Sequence, residues 1–289
     1  FSIGLRWEDW EADYADSLQE SFNPTDKMSG GKISLIKNMT NGTNMYASLA
    51  KGYKQGGFNL GLGLDANSRN KNLAYDPEFL TNYELGINTK LLDSRVTFNG
   101  VLFYSDREDQ QVLISTQTDP SDPNTFSFLT QNAAEGVNHG LEINMDMDIN
   151  QSLSAFVNLG ILKTEIKNWQ SRQDLEGRAQ AHAPERSYAL GLNWAPTSHT
   201  YLAIDFTGKS SFYYSDSHNN KSKAYMLTNL NLGYVKNNWN YELWARNIFD
   251  EYYSVRGFYF GNEAPNFIDT LYKRHGDPRH IGLSIRYDF

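Results

Sequence analysis

Hydrophobic and polar residues alternate along most of this chain with a period of two. The alternation is cleanest at the C-terminus. Ile281, Leu283, Ile285, Tyr287 and Phe289 fall on one side of an extended chain, and Gly282, Ser284, Arg286 and Asp288 on the other. Leu141, Ile143, Met145, Met147 and Ile149 likewise interleave with Glu142, Asn144, Asp146 and Asp148. The same period marks about twelve strands, near 1–14, 28–38, 43–55, 78–92, 95–114, 128–149, 151–166, 184–195, 200–213, 222–235, 238–250 and 278–289. The chain is therefore predicted to be all-β. Asn41-Gly42 is a strong hairpin signal, and Asp93-Ser94 a second tight turn.

The connections between these strands alternate in length. Short ones lie near 39–43, 92–95, 149–151, 195–200 and 235–238; long ones near 15–27, 56–77, 115–127, 167–183, 213–222 and 251–277. Transmembrane β-barrels sort their connections in this way, with short periplasmic turns and long extracellular loops. Their strands set an apolar face against lipid and a polar face against a wet lumen. A soluble β-sandwich would turn the acidic row of Glu142 to Asp148 to bulk water, and that strand by itself does not decide between the two. A propeller would show a repeat of 40–50 residues, and none is present. The loop sorting favours a transmembrane antiparallel barrel.

Composition narrows the function. Mean hydropathy is −0.60, and no stretch approaches the roughly 20 apolar residues of a membrane-spanning helix. Aromatic residues make up 14% of the chain, with 18 Tyr, as expected for interfacial girdles. The absence of Cys removes disulfides, thiolate metal sites and Cys nucleophiles. A net charge of −8 argues against nucleic acid as a partner. Residues 1–7 already alternate as a strand, so the expectation is a mature protein or the C-terminal piece of a longer one.

Five segments, in order, resemble the TonB-dependent outer-membrane receptors. Residues 46–59 (YASLAKGYKQGGFN) are similar to that family's YaS…GYksGGFN segment. Asp76-Pro77-Glu78 followed by 82–86 (NYELG) resembles its PE…YElG strand, and Asn132 through Gly140-Leu141-Glu142 its N.g…GlE strand. Residues 244–253 (WARNIFDEYY) resemble w.rNlfDe.Y, and Pro278-Arg279 leads into a closing strand of the family type. In this family a 22-stranded barrel encloses an N-terminal plug. The resemblance implies that residues 1–289 are the C-terminal portion of such a barrel, with the plug and about ten early strands lying outside this sequence. It also implies residence in the outer membrane of a Gram-negative bacterium, among its lipid and lipopolysaccharide. The TonB-ExbB-ExbD complex would act through the plug, and the barrel-assembly machinery would read the terminal Phe289. Gly52, Gly56 and Gly57 are expected to let the chain bend into a loop, and Asn247 and Asp250 to bond local backbone where a strand ends.

No catalytic constellation is evident. No serine occupies a Gly-x-Ser-x-Gly elbow, and His139, His182, His199, His218, His275 and His280 are scattered without metal-ligand spacing. Asp65, Asn67, Asp119, Asp122 and Asn124 sit in polar loops; residues 119–124 offer oxygen ligands for Ca²⁺ but, without an EF-hand's spacing, read more simply as a Pro/Asp turn. No enzyme, no cofactor and no resident metal are expected. Ligand binding is the better reading. Trp169, Arg172, Arg178, His182 and Arg186 lie in or beside one long loop; Phe258, Tyr259, Phe260, Tyr272, Lys273, Arg274 and His275 lie in another; Phe212, Tyr213 and Tyr214 cap a third. Cationic and aromatic side chains suit an anionic, partly aromatic chelate, although girdle aromatics and solvated charges share this composition. The expected function is TonB-dependent active uptake of a small-molecule chelate, foremost a ferric siderophore carried as solute. Cobalamin, thiamine or an oligosaccharide are alternatives, as is a passive porin-like channel.

Overall fold

The computed structural model describes residues 1–15, 17, 21–40, 42–59, 73–117, 126–169, 172–216, 218–261, 263–268 and 270–289. Asn41 of the Asn41-Gly42 turn and the loop residues Asp65, Asn67, Asp119, Asp122 and Asn124 lie outside them.

Twelve strands form one antiparallel sheet. They are β1 (Ser2–Glu11), β4 (Thr25–Asn38), β5 (Asn44–Lys54), β8 (Glu78–Leu91), β9 (Val96–Gln117), β10 (Phe126–Asn150), β11 (Leu153–Asn168), β12 (Arg186–Thr197), β13 (Thr200–Lys209), β14 (Tyr225–Lys236), β15 (Trp239–Arg246) and β18 (His280–Tyr287). Each pairs with the next, from β1 at one end to β18 at the other. No ladder joins β1 to β18 among the described residues. Three small hairpins decorate the long-loop end: β2 (Tyr14–Ala15) with β3 (Ser21–Phe22), β6 (Gly57–Phe58) with β7 (Ala74–Tyr75), and β16 (Ser254–Phe260) with β17 (Thr270–His275). Among the described residues one 3₁₀ turn is present, at Gln173–Leu175.

All twelve predicted strands are present. Three expected strands end three or more residues early. The first, expected to reach 14, stops at Glu11. The strand expected to reach 213 stops at Lys209, because the chain turns and Phe212 N–H donates to Ser222 Oγ at 3.1 Å. The strand expected to reach 250 stops at Arg246, because Asn247 adopts φ 49°, a left-handed conformation that Asn tolerates. The loop hairpins were not read from the sequence, since two- to seven-residue strands are too short to show a period. At the opposite end the turns are tight. Leu92, Asp93 and Ser94 all have positive φ (53°, 56° and 66°), closed by Arg95 N–H on Leu92 O at 3.1 Å.

Register carries the apolar positions of neighbouring strands into continuous rows. Leu35, Ala47, Leu85, Leu102, Leu141 and Ile161 stand opposite one another across six strands. Trp194, Leu202, Leu232, Leu243 and Leu283 do so across five. Among the described residues no second layer covers this face: Leu85 is 60% exposed and Ile281 66%. A water-soluble sandwich buries that face against a second sheet. Here the apolar side of a single sheet is left open, the arrangement of a barrel wall in lipid.

The opposite face carries Glu84, Glu142, Asp146, Asp205 and Glu242, interspersed with amides. It also carries five aromatic rings, each laid against a glycine directly across the ladder: Tyr46 on Gly86, Phe103 on Gly140, Phe156 on Gly191, Tyr201 on Gly233 and Trp244 on Gly282. A Cβ added at Gly233 would sit 2.0 Å from the Tyr201 ring. The glycine thus makes room for a ring to lie flat on the wall, a packing device for sheets that lack a second layer.

Candidate functional site

The long-loop end of the sheet gathers the candidate residues, and Arg178 is its hub. Arg178 leaves the sheet after β11 and reaches the loop after β13. Its guanidinium donates to Asp216 Oδ1 (2.7 Å), Ser215 O (3.2 Å), His218 O (3.0 Å) and Asn219 Oδ1 (2.8 Å). It also stacks 4.3 Å above the Tyr213 ring, on which Lys221 bears at 4.1 Å. The Arg178 side chain is only 8% exposed. Its donors close the loop; they do not face solvent. Asp216 Oδ1 accepts a further bond from Ala181 N–H at 3.1 Å, and His182 N–H donates to Tyr213 O at 2.9 Å. The exposed His182 ring lies 5.8 Å from Phe212.

The second loop is clamped to the third through Tyr214, His218 and Asn220. Tyr214 is buried, its hydroxyl bonded to Ser254 Oγ and its ring packed on Gly257. His218 donates from Nε2 to Gly257 O at 3.3 Å and accepts the Asn220 N–H on Nδ1 at 3.2 Å. Burial, and after it the nearby Arg178 charge, hold the His218 imidazole below its ordinary pKa, while the bond to Gly257 opposes this. Asn220 Nδ2 donates to the Tyr259 hydroxyl at 2.8 Å. Tyr259 and Phe258 are part of the β16–β17 hairpin, where Phe258 stacks on Tyr272 at 6.2 Å. The Tyr272 hydroxyl donates to Glu263 at 3.2 Å.

Arg178, His182, Tyr213, Tyr214, Phe258, Tyr259 and Tyr272 therefore come together. The other candidates do not join them. Trp169 is buried with Ala134, Ile166 and Leu175 under its own loop, so it packs rather than presents its ring. Arg172 is engaged bidentately by Asp174, both bonds at 2.9 Å, and that contact holds the Asp174 carboxyl below the usual range. His275 stacks on Tyr252 at 4.2 Å and accepts or donates a bond to its hydroxyl at 2.8 Å. Arg186 stands opposite Ile161, which places it on the apolar outer face. The side chain of Phe260 lies outside the described set.

Arg274 is different. It stands directly across the hairpin ladder from Arg256, both are exposed, and neither has an acidic partner within ion-pair distance among the described residues. Two guanidinium groups opposed in this way repel each other and are relieved by an anion. Arg256 escaped notice in the sequence because only register brings it to Arg274. The inner wall adds a pocket of about 510 Å³, whose lining includes Glu142, Asn158, Ser187, Lys209, Tyr225 and Tyr253. Tyr225 and Tyr253, with ring centroids 4.5 Å apart, and Lys209 were likewise not singled out beforehand. Asn247, buried at the end of β15, bonds Glu251 N–H (2.8 Å), Glu251 O (3.0 Å) and Asp277 O (3.1 Å). Asp250 Oδ1 accepts Arg279 N–H at 2.8 Å. This pair ties the base of the hairpin to the last strand.

Comparison with known proteins agrees with this architecture. The family model for the TonB dependent receptor-like β-barrel matches residues 1–248. The pesticin receptor of Yersinia pestis is 23% identical over 267 residues, which is 90% of this chain and 36% of that receptor. Among solved structures, the ferric yersiniabactin uptake receptor FyuA from Yersinia pestis superposes with TM-score 0.75 at 19% identity, covering 93% of this chain and 39% of that one. The siderophore receptor PiuA from Acinetobacter baumannii gives TM-score 0.75 at 16% identity, covering 99% and 40%. The ferric-catecholate import receptor Fiu from E. coli K12 gives 0.70 at 19% identity, covering 99% and 42%. The chain thus spans less than half the length of these relatives. It belongs to the β-barrel domain of the TonB-dependent receptors, a family of Gram-negative outer-membrane receptors and transporters rather than enzymes.

Proposed function

We propose that this chain is the C-terminal barrel portion of a receptor that takes up an anionic, partly aromatic metal chelate, with a ferric siderophore as the leading class. The observation that carries this reading is the exposed Arg256–Arg274 pair on a hairpin that presents Phe258 and Tyr272 on the same face. Arg forks pair with carboxylate or catecholate oxygens and aromatic rings stack on the chelate. Arg178, Tyr214 and His218 brace that hairpin in advance, which lowers the ordering cost of binding. The names of the relatives support iron chelates, but the copper transporter OprC shares the fold at TM-score 0.69, so the fold does not choose the solute. In this reading the twelve strands are part of a larger closed barrel, TonB-ExbB-ExbD drives transport through a plug, and Phe289 serves barrel assembly.

The test uses the whole receptor. Binding of a panel of ferric chelates is followed by tryptophan fluorescence, and uptake by growth of an iron-starved strain with and without TonB. Arg256→Ala with Arg274→Ala is expected to weaken binding at least tenfold while leaving the barrel folded. Unchanged affinity across the panel refutes the site. Conductance in planar bilayers together with TonB-independent uptake supports the passive channel instead.

A further inference from the structure

Six asparagines form a single row across the inner wall. Asn38, Asn44, Asn88, Asn99, Asn144 and Asn158 stand opposite one another on β4, β5, β8, β9, β10 and β11. With neighbouring strands about 4.8 Å apart, the row is roughly 24 Å long. It climbs away from the short turns. Asn38 ends β4 and Asn44 begins β5, Asn88 and Asn99 lie three residues from their strand ends, Asn144 six and Asn158 five. Five residues are about 17 Å along a strand. At the upper end Asn144 and Asn158 line the pocket of about 510 Å³ that also holds Lys209, Tyr225 and Tyr253. An amide ladder that serves only the sheet bonds along its length. Here Asn44 Nδ2 donates to Asn38 Oδ1 at 2.5 Å, but the side-chain amides of Asn88, Asn99, Asn144 and Asn158 form no hydrogen bond among the described residues. Asn88, Asn144 and Asn158 are exposed.

We propose that this row is the wall along which solute leaves the pocket for the short-turn mouth of the barrel, passing from amide to amide. Passage needs sites that hold a solute well enough to admit it and weakly enough to release it. Neutral amides meet that condition. Each supplies a carbonyl and two N–H donors, and a neutral hydrogen bond exchanged with water leaves only a small net gain. Arg or Lys at the same positions would make bonds roughly twice as strong to an anion at every step. The row also selects the part of the chelate that touches it. Glu142 and Asp146 flank Asn144 on the same face of β10 and repel an anionic surface. The chelate therefore turns an uncharged, amide- or hydroxyl-bearing edge to the wall. The upper pocket, with Lys209 and the rings of Tyr225 and Tyr253 4.5 Å apart, takes its anionic, aromatic part before release.

The inference rests on the solute reading above. The test uses the whole receptor, with ferric citrate, a ferric tris-catecholate and a ferric tris-hydroxamate as probes, each carrying radioactive iron. Asn99→Leu with Asn144→Leu is expected to leave the dissociation constant of the bound probe within about twofold and to slow its TonB-driven uptake about tenfold or more. Asn99→Ser with Asn144→Ser keeps neutral hydrogen-bonding groups and is expected to restore uptake. Asn99→Cys, in a chain that has no Cys of its own, is expected to react with a small water-soluble maleimide only while uptake runs. Unchanged uptake in the leucine variant overturns the proposal. So does an affinity that falls in step with uptake, a serine variant as slow as the leucine one, or a cysteine that stays unreactive during uptake. If the leucine pair does not assemble, the cysteine reactivity decides alone. A receptor that binds none of the probes refutes the solute reading and the role of the row with it; binding with unaltered uptake refutes the row alone.

Discussion

Replacing Arg178 by Ala separates a loop cluster that is braced in advance from one that orders only around solute. The Arg178–Asp216 contact is 2.7 Å, with side chains 8% and 29% exposed. Removing one partner of a buried ion pair costs about 3–5 kcal/mol, the lost hydrogen bonds included. Asp216 keeps some water and its bond from Ala181, so the lower end applies, about 3 kcal/mol. At 1.4 kcal/mol per tenfold, the open population of the loops rises roughly a hundredfold. Amide hydrogen exchange on the whole receptor reads this directly. The N–H groups of His182, Tyr214 and Ser222, bonded to Tyr213 O, Asn220 O and Phe212 O, are expected to exchange about a hundredfold faster. Those of β12 and β13 are expected to stay protected. Arg178→Lys keeps the charge but not the planar fork and should fall between. If the three loop amides exchange at the same rate in Arg178→Ala, the hub does not brace the cluster.

His218 accepts the Asn220 N–H on Nδ1 and is held below its ordinary pKa, so its neutral form is the one the fold stabilises. That stability is present above about pH 6.5 and is lost as the pH falls below it, because the unfolded loop binds the proton more readily. Protection of the Asn220 and Tyr214 amides, taken as the intrinsic rate over the observed exchange rate at each pH, should therefore fall between pH 7.5 and 5.5, and His218→Gln should flatten the dependence. Gly233→Ala drives a Cβ into the Tyr201 ring, which bonds Glu242 at 2.7 Å. A loss of about 1–3 kcal/mol is expected, read as a lower unfolding temperature in detergent, and it should nearly vanish in a Tyr201→Ala background. On the outer face, Leu243→Arg should lower the assembled fraction with a penalty near 2 kcal/mol. Ser154→Lys, on the inner face beside Asp148, should leave assembly unchanged in the same gel-shift assay.

The number of strands, the two faces and the sorting of loops were legible because each rests on local information. A period of two along Leu141 to Ile149 assigns every side chain in that stretch to a face without reference to any other strand. The local motif around Asn247 carried its role, since its side chain bonds the Glu251 backbone four residues on, whereas Asp250 bonds the backbone of Arg279, 29 residues away, instead of its own neighbourhood. The candidate binding residues were legible only as loop membership. Trp169, Arg172 and Arg178 share one loop, yet one is buried, one neutralised by a residue two positions away and one spent on a neighbouring loop.

By itself, then, the sequence determined an all-β chain with an apolar face and a polar face, because alternation and turn chemistry are properties of adjacent residues. Tertiary structure decided what register and loop packing bring together. The five ring-on-glycine contacts depend on which residue of one strand faces which of the next, and a one-residue slip would abolish them. Arg256 meets Arg274 only in a particular hairpin register. Arg186 lies in a loop-rich, cationic stretch that suggests solute, but pairing with Ile161 turns it outward. Side-chain direction is inherited from a partner strand remote in sequence, and that partner is chosen by the fold as a whole.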